Sequence, residues 1–182
     1  DRGMMSIEEK KLNEKIVDEF SNVANLFRSH GKTDTPDIRF LGMTEKTRVN
    51  PSGYRVEVSN AAKRGFYLGT PLPGIIKVDE TNNVLIIKNN GRVSDPIELR
   101  EDNYTPGSLS KTIQNRLMED KALGRRRIQV REEEGRLKII SGTFGNSSTI
   151  EVEPGPDKDL RSLGLTDGIS TSGEDVAGSI GN

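Results

Sequence analysis

The longest uninterrupted apolar stretch in this chain is four residues, Val84 to Ile87. A run that short cannot cross a bilayer as a helix, which needs about 20 apolar residues. Each element can therefore bury only a narrow face, which favours thin, elongated, β-rich modules over one thick globule. Composition points the same way: hydrophobic residues are 31% of the chain, aromatics 4%, and Trp is absent. Ordinary domains carry roughly 45–50% apolar residues on a count that includes Gly. With 182 residues the chain can form one domain or two small ones; disorder is the rival reading for the terminal segments.

Acids and bases nearly balance, 28 against 27, for a net charge of −1. No long-range field recommends nucleic acid or an anionic membrane as partner, and no membrane insertion is expected. Cysteine is absent and there is one histidine, His30, so neither a disulfide framework nor a thiolate or His-rich metal site is expected. The opening residues mix acid and base without the apolar core of a signal peptide. Because position 1 is Asp, we expect a fragment of a longer chain.

Ser6-Ile-Glu-Glu9 reads as a capping box. Behind it, Ile7, Leu12, Ile16, Phe20, Val23 and Phe27 form one helical stripe, interrupted near Ser21-Asn22. Gly31 and Pro36 end it. Ile38–Leu41 and Tyr54–Val58 alternate in polarity around Asn50-Pro-Ser-Gly53, which predicts a hairpin. The cluster Gly69-Thr-Pro-Leu-Pro-Gly74 then reads as a boundary between modules.

Beyond it, strands are predicted at 75–78, 84–88 and 97–100, with turns at Asp79–Asn83 and Asn90-Gly91. Pro96 should place the third strand at an edge or bulge. Pro106-Gly107-Ser108 opens a helix in which Leu109, Ile113 and Leu117 recur every four residues, and Gly124 can close it. Strands at 127–131, 136–140 and 149–152 complete a β-β-β-α-β-β-β order. The predicted class is α+β, mostly antiparallel, with a short helical N-terminal segment. The expected division is a helical lead-in, 1–35; a small β-subdomain, 36–70 plus 170–182; and an inserted module, 74–165. Asp175–Ile180 should return to pair with Tyr54–Val58.

Ser141–Val152, SGTFGNSSTIEV, is the segment that most resembles reactive chemistry. A P-loop requires a Gly-Lys pair before the hydroxyl and a helix after it; here Lys is missing and a strand pattern follows. The spacing of a nucleophile elbow is missing too. The turn reading is preferred, with Ser147, Ser148 and Thr149 available to satisfy amides that a ladder leaves free. Arg125–Arg127 precede Glu132–Glu134 closely and have no interleaved aromatics, so they read as solvated hairpin ends and not as a phosphate grip. Asp79–Asn83 lacks the EF-hand spacing for Ca²⁺. No catalytic, cofactor-binding or metal-ligating residue is assigned, and no cofactor is expected.

Several segments in order resemble one family. MSIEEKKLNEKIVDEFSNVANLF, through Leu12, Val23, Leu26 and Phe27, is similar to a late helix of bacterial flagellar filament-capping proteins, the hook-associated proteins of the filament tip. TEKTRVNPSGYRVEVSNAAKRG, through Lys46, Thr47, Tyr54, Val56, Ala61 and Ala62, resembles a stretch of longer members. Asn83, Tyr104-Thr105, RLKIISGTFGNSSTIEV, Leu163-Gly-Leu165 and GEDVAGSIGN follow in the order seen in modules shared with flagellin outer parts. The ending Ile180-Gly-Asn182 departs from the commoner Ile-Asn-Gly, and no long heptad segment is present.

The resemblance implies a non-enzymatic structural component of the flagellum, exported without a cleaved signal peptide and placed outside the cell. It implies flagellin subunits and other cap protomers as partners, a role in motility, and outer domains that can meet host surfaces. The alternative from another class is an extracellular adhesion module recognising surface glycans, with Tyr54, Phe66, Tyr67, Tyr104 and Phe144 as the available rings. A third option, a small hydrolase, would need a deep polar pocket around His30 or Ser147.

Overall fold

The computed structural model describes residues 8–20, 31–48, 50 and 52–181. By contact the chain divides into two compact units, Asp1–Gly53 and Tyr54–Asn182. In the first, helix α1 spans Glu9–Asp18 and buries none of its residues. Its N-cap is Glu8, without a side-chain capping bond; Ser6, the stripe from Val23 to Phe27 and His30 lie outside the described residues. Asn50 closes a turn in which its carbonyl accepts from Gly53 N–H and its side-chain oxygen from Ser52 N–H. Ile38–Leu41, expected as a strand, is not one. The hairpin with 54–58 does not form because that segment is paired elsewhere.

The second unit is antiparallel β with one helix, and the whole is of the α+β class. Strand β1 (Arg55–Asn60) pairs with β12 (Ala177–Gly181), matching Val56 with Ile180 and Val58 with Gly178, with a bulge between Val58 and Asn60. Between them come β2 (Phe66–Leu68), β3 (Ile76–Val78), β4 (Val84–Asn89), β5 (Arg92–Val93), β6 (Ile97–Glu98), β7 (Asp102–Tyr104), helix α2 (Pro106–Glu119), β8 (Gln129–Glu133), β9 (Arg136–Ile140), β10 (Ile150–Pro154), a 3₁₀ turn at Arg161–Leu163, and β11 (Ile169–Thr171). One sheet runs β11-β2-β9-β8, a second is built on β4 with β10, β5 and β6, and β3 pairs with β7.

Three features differ from the predicted order. First, β3 and β4 do not form a hairpin across Asp79–Asn83; β3 takes β7 and β4 takes β10. Second, the strand expected at 97–100 is one of two short pieces, β5 and β6, laid along β4 on either side of Ser94–Pro96. Pro96 has no N–H to give the ladder, and Ser94 bridges the gap: its hydroxyl accepts from Ile87 N–H and its own N–H returns to the Ile87 carbonyl. Third, the Gly69–Gly74 cluster is hydrogen-bonded into the second unit, with Gly69, Thr70 and Leu72 N–H groups reaching the carbonyls of Leu137, Gly164 and Gly135.

Asn90-Gly91 closes the β4–β5 hairpin with both residues at positive φ, 51° and 74°, and Glu134-Gly135 closes β8–β9 the same way, at 53° and 72°. Such two-residue turns match the twist of the strands they join. Helix α2 begins with the Thr105 hydroxyl accepting from Ser108 N–H and the Ser108 hydroxyl accepting from Thr105 N–H, with Pro106 where its missing N–H costs nothing. Its four-residue repeat, Leu109, Ile113 and Leu117, is fully buried in the one apolar cluster that also holds Leu85, Ile87, Leu137, Ile139 and Ile150. Each such side chain is worth about 1.5–3 kcal/mol of transfer free energy.

Candidate functional site

The segment 141–149 is where the structure concentrates polar side chains. Ser141 and Ser148 are both fully buried. The Ser148 hydroxyl accepts from Gly65 N–H at 2.9 Å and donates to the Thr143 carbonyl at 2.7 Å. The Ser141 hydroxyl accepts from the buried Asn89 amide at 2.8 Å. Asn90, in the β4–β5 turn, donates to the Thr143 hydroxyl and accepts from Thr149 N–H, each at 2.8 Å. The segment thus ties the turn after β4 to residue 65, and the hydroxyls of Ser141, Thr143 and Ser148 are engaged with backbone and amide groups. Ser147 is exposed.

The same loop roots the β1–β12 ribbon. Lys63 and Glu174 exchange both backbone hydrogen bonds. Lys63 Nζ lies 2.9 Å from Glu174 Oε1, and the Asn60 amide donates to Oε2 at 3.1 Å. Gly145 N–H reaches the Lys63 carbonyl, Gly173 N–H reaches the Ser148 carbonyl, and Asp175 accepts from Asn146 N–H at 2.9 Å. Gly65 and Gly173 allow the close approach: a Cβ at Gly65 would sit 2.0 Å from the Ser148 carbonyl oxygen, and one at Gly173 2.4 Å from that of Lys63. None of Asn60, Lys63, Gly65 or Gly173 stands out in the sequence as part of a site. The signal was there only as glycines beside charged residues.

Other candidate groups are similarly engaged. Asp79 accepts from the hydroxyl and N–H of Thr81, while Asn82, almost fully buried, donates to the Lys77 carbonyl and to Ser162. These bonds engage Asp79 and Asn82 in a turn tied to Lys77 and Ser162, while the Asn83 side-chain oxygen is buried without a partner among the described residues. Among the described residues no three His, Cys, Asp or Glu side chains converge to hold a metal ion. Of the five rings, Tyr67 is buried with its hydroxyl accepting from Gly168 N–H, and Tyr104 donates to the Arg100 carbonyl. Lys138 stands 4.8 Å over Phe66 and Arg64 4.6 Å over Phe144, which is 55% exposed.

Two open hollows flank the C-terminal half of α2. One, about 480 Å³, is lined by Gln114, Met118, Arg125, Arg127 and Gln129 among others, with no carboxylate, hydroxyl or imidazole in its wall. The other, about 310 Å³, holds Asp95, Glu98, Arg116 and Asp120. There the Asp120 carboxylate already accepts from Asp95, Ala122 and Leu123 N–H groups. Ser147 lines neither.

Electrostatics follow the same pattern. Hydrogen bonds from Thr81, Lys138, Arg161 and Lys63 hold the carboxyls of Asp79, Glu133, Asp159 and Glu174 below their ordinary range. Burial raises the Tyr67 phenol. A general acid at neutral pH needs a carboxyl raised toward neutrality, and these four move the other way. What the arrangement can do is tie the β1–β12 ribbon to the polar segment 141–149 through Lys63, Gly65, Gly173 and Asp175. No helix among the described residues is long and apolar enough to cross a membrane. A scan against protein-family models finds no match, and a search of curated proteins finds none either.

Proposed function

We propose that this chain is head-region material of a bacterial flagellar filament cap, working outside the cell by contact with exported flagellin and with other cap protomers. The observation that carries the reading is the closure of β1 on β12, which lets everything from 61 to 176 leave and rejoin one ribbon as an insertion would. Support comes also from the ordered family-like segments and from the engagement of the loop hydroxyls with the fold. Flagellin must be met and then released, which suits a polar surface with few exposed rings better than a large apolar interface. No chemistry is assigned to the chain in this reading.

The test is deletion of 61–176 in the parent protein, with β1 and β12 joined by a two-residue Asn-Gly turn. Expected are shortened filaments, flagellin lost to the medium as monomer, and reduced surface attachment. Filaments of normal length with unchanged attachment would remove the basis for the proposal.

A further inference from the structure

Among the described residues, the β1–β12 ribbon keeps one apolar face exposed. Directly paired residues of an antiparallel ladder point to the same side, so Val56, Val58 and Ile180 share one face, and Arg55, Glu57 and Ser179 the other. Val56 is 40% exposed, Val58 52% and Ile180 73%. A lone two-stranded ribbon is marginal in water and gains stability from a third strand.

Its β12 edge is also unguarded. Exposed edges are normally blunted by charge, proline or cover. Strand β1 carries Arg55 and Glu57, β10 carries Glu151, Glu153 and Pro154, and β8 is covered by Gln114 of α2, which bonds Val130 N–H and the Ile128 carbonyl. Strand β12, Ala-Gly-Ser-Ile-Gly, has no charge and no proline, and every residue in it is exposed.

We propose that the β12 edge is the interface at which a second copy of this chain adds, β12 beside β12 and antiparallel, to make a four-stranded sheet about a two-fold axis at Ser179. The strand is self-complementary in that register. Ser179 meets the second copy's Ser179, and Ile180 meets the second copy's Gly178, where no side chain competes for its space. The rows across four strands become Val56–Ile180–Gly178–Val58, apolar throughout, and Glu57–Ser179–Ser179–Glu57. The two Glu57 carboxylates stand three strand spacings apart, about 14 Å, beyond the screening length of about 8 Å at physiological salt. An isologous contact of this kind closes as a dimer instead of growing into a fibre. It stands whether or not the filament-cap reading holds.

The test is sedimentation of the chain across a concentration series, beside Ser179→Lys. That variant places Lys opposite Glu57 within its own ribbon, which favours the fold, and Lys opposite Lys between copies, which weakens pairing by about fivefold. Circular dichroism checks that it folds. Since the chain has no cysteine, Ser179→Cys gives a second readout with a short bis-maleimide, with Ser52→Cys as the exposed control. The expected result is a monomer–dimer equilibrium, weakened by the lysine, with crosslinking faster at 179 than at 52. A monomer at every concentration would overturn the proposal, including the case in which a different protein occupies the ribbon. So would a dimer that ignores the lysine and shows no crosslinking preference.

Discussion

Ser147 and Ser148 are neighbours in opposite environments, and that contrast decides what the loop hydroxyls are for. Ser148 gives Gly65 N–H its acceptor inside a fully buried site. Ser148→Ala should therefore cost about 1–3 kcal/mol, the usual penalty for stranding a buried donor, read as a lower urea midpoint. Ser147→Ala, at an exposed position, should stay within about 0.5 kcal/mol of the parent. Equal effects at the two positions would contradict the structural role assigned to Ser148. A gain is available at Glu134, a non-glycine residue at φ 53° in a two-residue turn. Asn tolerates that conformation far better, so Glu134→Asn should raise stability by about 0.5–1 kcal/mol; an unchanged or lower midpoint would mean Glu134 makes a compensating contact.

At the level of elements, the helix, the turns and the return of 175–180 onto 54–58 were legible, whereas most pairings between them were not. Leu109, Ile113 and Leu117 repeat at helical spacing behind Pro106 and Ser108, so α2 could be drawn from local pattern alone, and Asn90-Gly91 named its own turn. Strands β2, β7 and β11 are three residues each, too short for alternation to register, and Asp-Asn-Tyr in β7 is polar enough to pass for a loop. The β3–β7 pairing joins segments about 25 residues apart, which no local propensity encodes. The polar segment 141–149 was half legible. Its hydroxyls announced turn chemistry, whereas their partners at 63–65, 89–90 and 173–175 lie far away in sequence. The ribbon root makes a pH prediction. The Lys63 ammonium, and after it the Asn60 amide, depress the Glu174 carboxyl in the folded state. A depressed carboxyl contributes stability that is complete above its unfolded value and is lost as pH falls through the folded one. Glu174→Gln should accordingly flatten the acid limb of urea midpoint against pH, leaving neutral and alkaline slopes alone. Because Glu174 is 47% exposed, added salt should shrink the difference; a difference indifferent to both pH and salt would remove the ion pair from the explanation.

For the molecule as a whole, the distribution of buried surface sets what can fold alone. Every member of the buried apolar cluster lies between Tyr67 and Leu165, and the ribbon and its root add 55–63 and 173–181. Helix α1 contributes no buried residue. Cooperativity comes from shared burial, so a chain beginning at Tyr54 keeps all of the second unit's packing and every one of its ladders. Such a 54–182 fragment should unfold in one transition, with a free energy within about 1 kcal/mol of the same transition in the longer chain. Its urea slope should be nearly unchanged, since slope follows the surface exposed on unfolding. Limited proteolysis of the full chain should cut first between 31 and 53, where the described backbone has turns and bends but no strand ladder, and leave a resistant product of the second unit. A fragment that fails to fold, or melts in two steps, would mean that the first unit carries part of the core and that the second unit does not fold alone.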